Sequence, residues 1–560
     1  MRKLAGLIAG IVAIGLLSVG LAACGGGNNN SSSSSGTGGN AKGGKSGGSI
    51  KVGTVGPDSY DPVLMQTVQA FQPLKTVYTG LLAFKDEYGK AGTELIPGLA
   101  EKMPTVSSDG KTYTFQLRKG LKYSDGTPVK PGDFEVAIKR LLKLNGPYSS
   151  FLTVIDGADA FQKKGDAKAD IPGITDDPSG KITVKLTNPD SKFQFAMAEP
   201  YTAPVPASKI KFTSMTKNPP PGVGPFKMQV VDPSREFILT KNKSFNIPGI
   251  AKAKLDKITG QVSSNVSRMT QDVISGNLDF TTEDPTGDLL PTVKAKYKDR
   301  FSLNPYPPNT YYLSMNTTTP PFNNEKAREA VNYAIDSRAL VRIFGGRLKP
   351  TCTFIPPGTI GFKEQTCPYG TPNGPGNTTK AKALVKESGT AGQTVTMWTN
   401  NKDPRPAIGE YVRSVLQQIG YKAKVKTLNQ QVYFDAIGTK SRKAQIHFND
   451  WFMDFPDPSD LFQPLMTGSA LASTPTFNVG FVNDPKINSE VAKLSKARDP
   501  ATNAAAWTKL DQYLTGPGKS YVVPYGSELS STFMSERMNY KDCNGVHQVF
   551  KNDWTLFCLK

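Results

Sequence analysis

Apolar residues recur along this chain at two spacings, every second residue in short stretches and every third or fourth in longer ones, the marks of strand and helix. Ile50 to Val55 alternates apolar with small or polar residues and predicts a half-buried strand, ended by a turn from Pro57 to Pro62. Tyr113, Phe115 and Leu117 share one face of Thr112 to Leu117, between Asp109-Gly110 and Asp125-Gly126-Thr127-Pro128, which predicts an antiparallel strand bounded by turns. Phe134, Ala137, Ile138 and Leu141 then fall on one helical face, with Asp133 placed to cap the free N–H groups. In the second half, Ala327, Ala330, Val331, Ala334 and Ile335 predict a helix after Asn323 and Asn324 as candidate caps. Ile408, Val412, Val415, Leu416 and Ile419 predict another that stops at Gly420, and Ala423, Val425 and Thr427 alternate with lysines as the following strand. Helix and strand joined across one glycine make an α/β unit. Gln445 to Trp451 predicts a further strand, which Met453 to Pro458 must leave as a loop because Pro456 and Pro458 cannot pair.

The first 23 residues follow a different pattern. Arg2 and Lys3 precede an apolar run from Leu4 to Val19, and Ala22 and Ala23 supply the small residues a signal peptidase accommodates. Leu21-Ala22-Ala23-Cys24 resembles the bacterial lipobox, which implies acylation of Cys24 and a lipid tether. A plain N-terminal membrane helix is the alternative. Residues 24–49 are almost wholly glycine, asparagine and serine, a composition expected to act as a flexible leash. Two enzyme motifs inside it, the phosphate-loop spacing of Gly39 to Ser46 and the nucleophile-elbow spacing of Gly44, Ser46 and Gly48, lack the strand and helix that would position their atoms.

The 560 residues fit two to four domains at about 150 residues each, and no later segment is apolar enough to span a bilayer. With Cys24 assigned to lipid, four cysteines remain. Cys352 and Cys367, and Cys543 and Cys558, are each 15 apart, and an oxidising compartment favours these two local loops among three connectivities. Each could contribute roughly 3 kcal/mol through chain entropy. A zinc site is disfavoured, since there is no Cys-x-x-Cys and His447 and His547 stand far apart, so no metal is expected. The 67 lysines and arginines exceed the 47 aspartates and glutamates, but they are scattered and no nucleic-acid motif accompanies them. Adhesion to an anionic wall or membrane surface fits better than nucleic-acid binding, and a solvated basic surface with no partner is the default expectation.

Several segments together resemble the extracellular solute-binding proteins of peptide-type ABC importers (family 5), the group with oligopeptide-, dipeptide- and nickel-binding members. They are Phe115, Leu117, Arg118 and Gly120 with Ser124 to Pro128; Gly222, Gly224, Pro225 and Phe226; Asn316; Pro321-Phe322 leading to Arg328, Ala330, Asn332, Ala334, Ile335 and Asp336; and Trp451 to Pro458. The resemblance runs from about Ile50 to Pro524. It implies an α/β, two-lobed periplasmic-binding-protein-like fold (class II type) with an extra N-terminal α+β subdomain. The expected division is a signal peptide at 1–23, a tether at 24–49, lobe one at 50–90 plus 222–316 plus 525–560, the extra subdomain at 91–221, and lobe two at 317–524.

The resemblance further implies capture of a peptide or similar small solute in a cleft between hinged lobes and its delivery to ABC permease subunits. No chemistry and no cofactor are implied. The body would be a monomer, held by lipid at the extracellular face of the cell membrane. By motif, Asp454 corresponds to the aspartate that anchors a ligand ammonium in peptide-binding members, whereas Asp457 fits better as a cap for a helix starting near Ser459. Trp451 could wall an extended ligand or fill a core, and Trp398, where a strand would emerge into a cleft loop, faces the same two options. Arg405 could meet a ligand carboxylate or be an ordinary surface residue, and Tyr60 stands in a first loop that approaches the cleft in the family. The fold tolerates a chelated metal, a glycan fragment or an opine-like compound as cargo. A lipid-anchored hydrolase and an envelope interaction protein are the alternatives of other classes, although no nucleophile, base and orienting group share a local motif.

Overall fold

The computed structural model describes residues 44–164, 169–305, 307–364, 366–472, 474–497 and 500–560. The expected signal segment, Cys24 and most of the leash lie outside the described residues. Ordered structure starts ahead of Ile50: the Lys45 N–H donates to the Leu559 carbonyl at 3.0 Å, and Ser49–Thr54 is a strand.

That strand enters a five-stranded sheet in the order Phe280–Thr281, Ser49–Thr54, Lys257–Val262, Glu236–Lys241, Phe226–Asp232. It runs parallel to its two neighbours, Ile50 lying opposite Ile258, and the remaining pairs are antiparallel. A separate four-stranded antiparallel sheet holds Thr112–Gln116 and Lys181–Lys185 at its centre. Tyr113 and Phe115 point into the core as their alternation requires, and helix Asp133–Lys143 buries Phe134, Ala137, Ile138 and Leu141. Asp133 does not cap this helix: its carboxylate reaches back to Lys130 N–H at 2.9 Å, Tyr123 O–H at 3.0 Å and Ala207 N–H at 3.1 Å. The aspartate therefore ties three loops together, and the helix begins at Gly132 without a side-chain cap.

The second half forms a six-stranded sheet in the order Leu348–Lys349, Val522–Glu528, Asn309–Met315, Ile446–Phe452, Thr394–Asn400, Lys422–Leu428. The expected helices flank it. Glu325–Ala334 starts at Asn324, whose side chain accepts from Ala327 N–H, and Arg405–Gln418 ends before Gly420, where φ is +110° and a side chain would be strained. Leu313, Val331, Val395, Ile408, Val412, Ile446 and Phe448 form a core on this sheet, apart from the larger core around the other two. Gly222 and Gly224 matter for a different reason: a Cβ on either would lie 2.3 to 2.4 Å from Val77 backbone atoms, so only glycine lets these segments pass.

The chain passes between the five- and six-stranded sheets twice, after Phe301–Asn304 and before Ser530–Phe533, and these two segments pair antiparallel, Phe301 opposite Phe533 and Asn304 opposite Ser530. Asn309 bridges the passages. Its amide donates to the Glu528 carbonyl at 2.8 Å and accepts from the Glu528 N–H at 2.7 Å. Both expected disulfides form, Cys352–Cys367 and Cys543–Cys558.

Asp61 and Arg140, both fully buried, join the first loop to the four-stranded unit through a two-pronged ion pair. Arg140 also donates to the carbonyls of Lys211 at 2.7 Å and Thr213 at 2.8 Å. Removing one partner strands the other charge without water. Arg140→Met is expected to lower unfolding stability by about 3–5 kcal/mol, and adding Asp61→Asn to recover part of that loss, read as denaturation midpoints.

Candidate functional site

The parallel strands Thr394–Asn400, Lys422–Leu428 and Ile446–Phe452 all end at one edge of the six-stranded sheet. Carboxyl ends of parallel strands are where open α/β sheets place their ligand crevices. The segments that follow, with Lys402, Asp403, Arg405, Gln430 and Asp454, face a cavity of about 1370 Å³, counted to its open mouth. The opposite wall comes from Met65–Phe71, from Thr282, Glu283 and Asp284 after the edge strand of the five-stranded sheet, from Tyr148, and from Lys551. Arg347 and Glu528 close the end beside the passages.

Charges in this space are matched. Lys402 Nζ lies 2.5 Å from Glu283, which also accepts from Gln69 at 3.0 Å and Thr282 at 2.8 Å. Burial alone would raise the Glu283 carboxyl, but Lys402, and Lys551 beyond it, hold it below the usual carboxylate range. Arg347 forks onto Glu528 at 3.0 and 2.8 Å and donates to the Pro285 carbonyl at 2.6 Å. Lys551 reaches Asp284 at 3.4 Å and the Thr282 carbonyl at 2.9 Å. Arg405 donates to Asp450 and, at 2.9 Å, to Gln430, with its guanidinium 4.4 Å from the Phe448 ring centre.

Asp403 and Asp454 are the acids of the lining outside these pairs, and Asp454 is the buried one. The loop that carries it is fixed on both sides: Phe455 stacks on Phe195 at 5.3 Å and meets Phe151 edge-on at 5.7 Å, while the Asp454 N–H donates to Asp460 at 3.1 Å. One carboxylate oxygen of Asp454 is buried with no hydrogen-bond partner. Burial pushes the Asp454 carboxyl up to about 7, eased by a hydrogen bond from Tyr148. Behind it lie two further buried carboxyls, Asp460 and Glu199, both raised well above the ordinary range by burial and by Asp454 itself. Trp451 donates its indole N–H to Asp460 at 2.9 Å and packs edge-on against Phe477 at 5.0 Å. Asp457 accepts from Ser459 N–H at 2.8 Å at the start of helix Ser459–Met466, and from Ser191.

Of the five residues expected at a ligand, Asp454, Trp451 and Arg405 line this one cavity and Trp398 and Tyr60 do not. Trp398 sits in the core of the six-stranded sheet with Lys426 Nζ 3.8 Å from its ring centre. It stands two residues before the end of its strand, short of the cavity-lining segment that follows. Tyr60 is fully buried, its ring edge on Phe237 at 5.4 Å and its hydroxyl on the Pro233 carbonyl at 3.3 Å. Arg405 is not an ordinary surface residue, since it is buried and already held by Asp450. Sequence reasoning missed Tyr148, Glu283, Lys402, Asp450 and Lys551. A carboxylate inside the apolar strand Ile446–Phe452 was a usable signal for Asp450; the others lie in segments with no local pattern. Among the described residues no cluster of histidine, cysteine or carboxylate side chains could hold a metal ion, and no helix is long and apolar enough to cross a membrane.

Residues 94–473 match the family model described as bacterial extracellular solute-binding proteins, family 5 Middle. The glutathione-binding protein GsiB of Escherichia coli (strain K12) is 29% identical over 460 residues, covering 80% of this chain and 82% of GsiB. Among solved structures, DppA from Helicobacter pylori in complex with the peptide STSA aligns with a TM-score of 0.78 at 21% identity, over 92% of this chain and 98% of DppA. The Escherichia coli murein tripeptide binding protein MppA aligns at 0.78 and 20% identity, over 92% and 98% of the two chains. The unliganded open form of MppA aligns at 0.61 and 20% identity, over 91% and 97%. At such identities the solved structures share the fold, and the expected two-lobed periplasmic-binding-protein-like class is observed.

A carboxyl held at about 7 rather than at its ordinary 3.8 takes up a proton on folding. Its contribution to stability is complete below the ordinary value and is lost as pH rises toward 7. Asp454→Asn carries no such dependence. Its unfolding midpoint without ligand is expected to gain on the parent protein between pH 4 and pH 7 and to hold a constant lead above that, read by thermal unfolding; a pH-independent difference rejects the buried, protonated carboxyl.

Proposed function

The chain belongs to the family 5 bacterial extracellular solute-binding proteins, and from that premise we propose that it captures a peptide-like solute through its ammonium group, closes over it, and hands it unaltered to an ABC permease. Asp454 carries this reading: a buried carboxyl with an unpartnered oxygen, facing a cavity whose four cationic side chains are all engaged by other acids. A cation brought there gains a charge-assisted hydrogen bond where water no longer screens it. Trp451 and Tyr148 supply flat walls beside it. The peptide STSA and the murein tripeptide of the structural neighbours support a peptide-like solute.

Closure follows from the two passages. The halves around the five- and six-stranded sheets act as lobes that turn about the ribbon of Phe301–Asn304 and Ser530–Phe533. Contacts that cross the seam include Lys402 with Glu283, Arg347 with the Pro285 carbonyl and, at 2.7 Å, Gln66 with Asp435. These contacts and the weaker match to the open form of MppA support reading the present arrangement as closed. Acylation at Cys24 would hold the monomeric body at the outer membrane face, within reach of its permease, and the residues before Lys45 would serve as the tether.

Titration calorimetry with trialanine tests the anchor. Asp454→Ala is expected to lose about 2–5 kcal/mol, about thirtyfold to several thousandfold in affinity; a change of less than about threefold rejects the assignment. Because the ammonium needs the ionised carboxylate, the parent's affinity is expected to fall by up to about tenfold per pH unit below 7 and to level off above it. Solution scattering should show compaction when solute is added.

A further inference from the structure

Four cationic side chains line the cavity, and each is ion-paired with a carboxylate of the same lining: Lys402 with Glu283, Lys551 with Asp284, Arg347 with Glu528, and Arg405 with Asp450. Those pairs use four of the six acids. The remaining two, Asp454 at the buried end and Asp403 near the mouth, have no ion pair among the described residues. Acids of the described lining thus outnumber its cations by two, and no cation of that lining is uncommitted.

The mouth repeats the pattern. Asp403, exposed on the segment after strand Thr394–Asn400, is raised by partial burial and then by repulsion from Asp288, four residues beyond the lining acid Asp284. Asp58 and Asp435 approach across the seam, and Asp58 is held at about 6 by burial and then by Asp435. Closing the lobes therefore presses like charges together, a cost that a cation placed between them removes.

Resting on the capture reading above, we infer that the natural solute is a polycation without a free carboxylate: one ammonium at Asp454, a second positive centre near Asp403, and a neutral end, as in a basic peptide amide or a polyamine conjugate. A free carboxylate would have to displace Glu283, Asp284, Glu528 or Asp450 from its cation, and a buried carboxylate left behind would then lack a partner. A second cation meets the opposite circumstance. It finds Asp403 already in place, and its arrival relieves the repulsion between Asp403 and Asp288.

Four probes of one size separate these terms: Ala-Ala-Glu, Ala-Ala-Ala, Ala-Ala-Ala amide and Ala-Ala-Lys amide, titrated calorimetrically into the full protein at pH 7.5. Affinity is expected to rise along that series, about tenfold from the free acid to its amide and about threefold or more from the alanine amide to the lysine amide. In Asp403→Asn, an exposed substitution that leaves the core alone, the ratio of the last two affinities should fall to about one. A free acid that binds as tightly as its amide overturns the inference and leaves the capture reading intact, because solute is still held. Binding of none of the four overturns both.

Discussion

An ionised side chain taken out of water must find an opposite charge or enough hydrogen bonds to replace its hydration, at a cost of several kcal/mol if it does not. That requirement organises the space between the two sheets. Ten ionisable side chains meet there from segments as distant in sequence as Glu283 and Lys551, and eight of them settle into four pairs. Three of the pairs lie within one wall, and the fourth, Lys402 with Glu283, joins the two. The two acids left over define what the cavity lacks, and Asp454, with burial holding it at about 7, is the deeper. The site is thus shaped by an electrostatic deficit as much as by volume.

The same constraint explains the loop that carries Asp454. Proline at 456 and 458 removes two backbone donors and ends the strand, as its sequence predicts. What holds the loop once it leaves the sheet is Phe455 between Phe195 and Phe151, together with Asp460 accepting from both the Asp454 N–H and the Trp451 indole. Three carboxyls, Asp454, Asp460 and Glu199, consequently share one poorly hydrated neighbourhood. Such crowding holds Asp454 at about 7, so on the capture reading cation binding below that pH is coupled to release of its proton.

Elements with strong periodicity were legible in the sequence. The helices Glu325–Ala334 and Arg405–Gln418, the strand Lys422–Leu428 and the strand Ile446–Phe452 lie within a few residues of expectation, because amphipathic spacing and a glycine or asparagine boundary act locally. Both disulfides follow from equal spacing. Side-chain direction was less legible. Trp398 and Trp451 lie on one face of the six-stranded sheet, yet Trp398, opposite His447, is packed in a core, whereas Trp451, four residues further toward the carboxyl end than His447, reaches the cavity wall. Asp133 shows the same limit: a cap by position, it is drawn instead to three donors from other segments. The pairing of Lys402 with Glu283 has no local trace at all, since it exists only where the two sheets meet.

Asn309 adds a mechanical consequence. Two independent linkers between rigid halves would allow twist, shear and bending in any combination. Here one buried amide fastens one linker to the other through both its oxygen and its nitrogen, and the adjoining strands are zipped alongside. On the capture reading, a connection fastened in this way resists twist and shear more than bending, which would guide the halves along one swing.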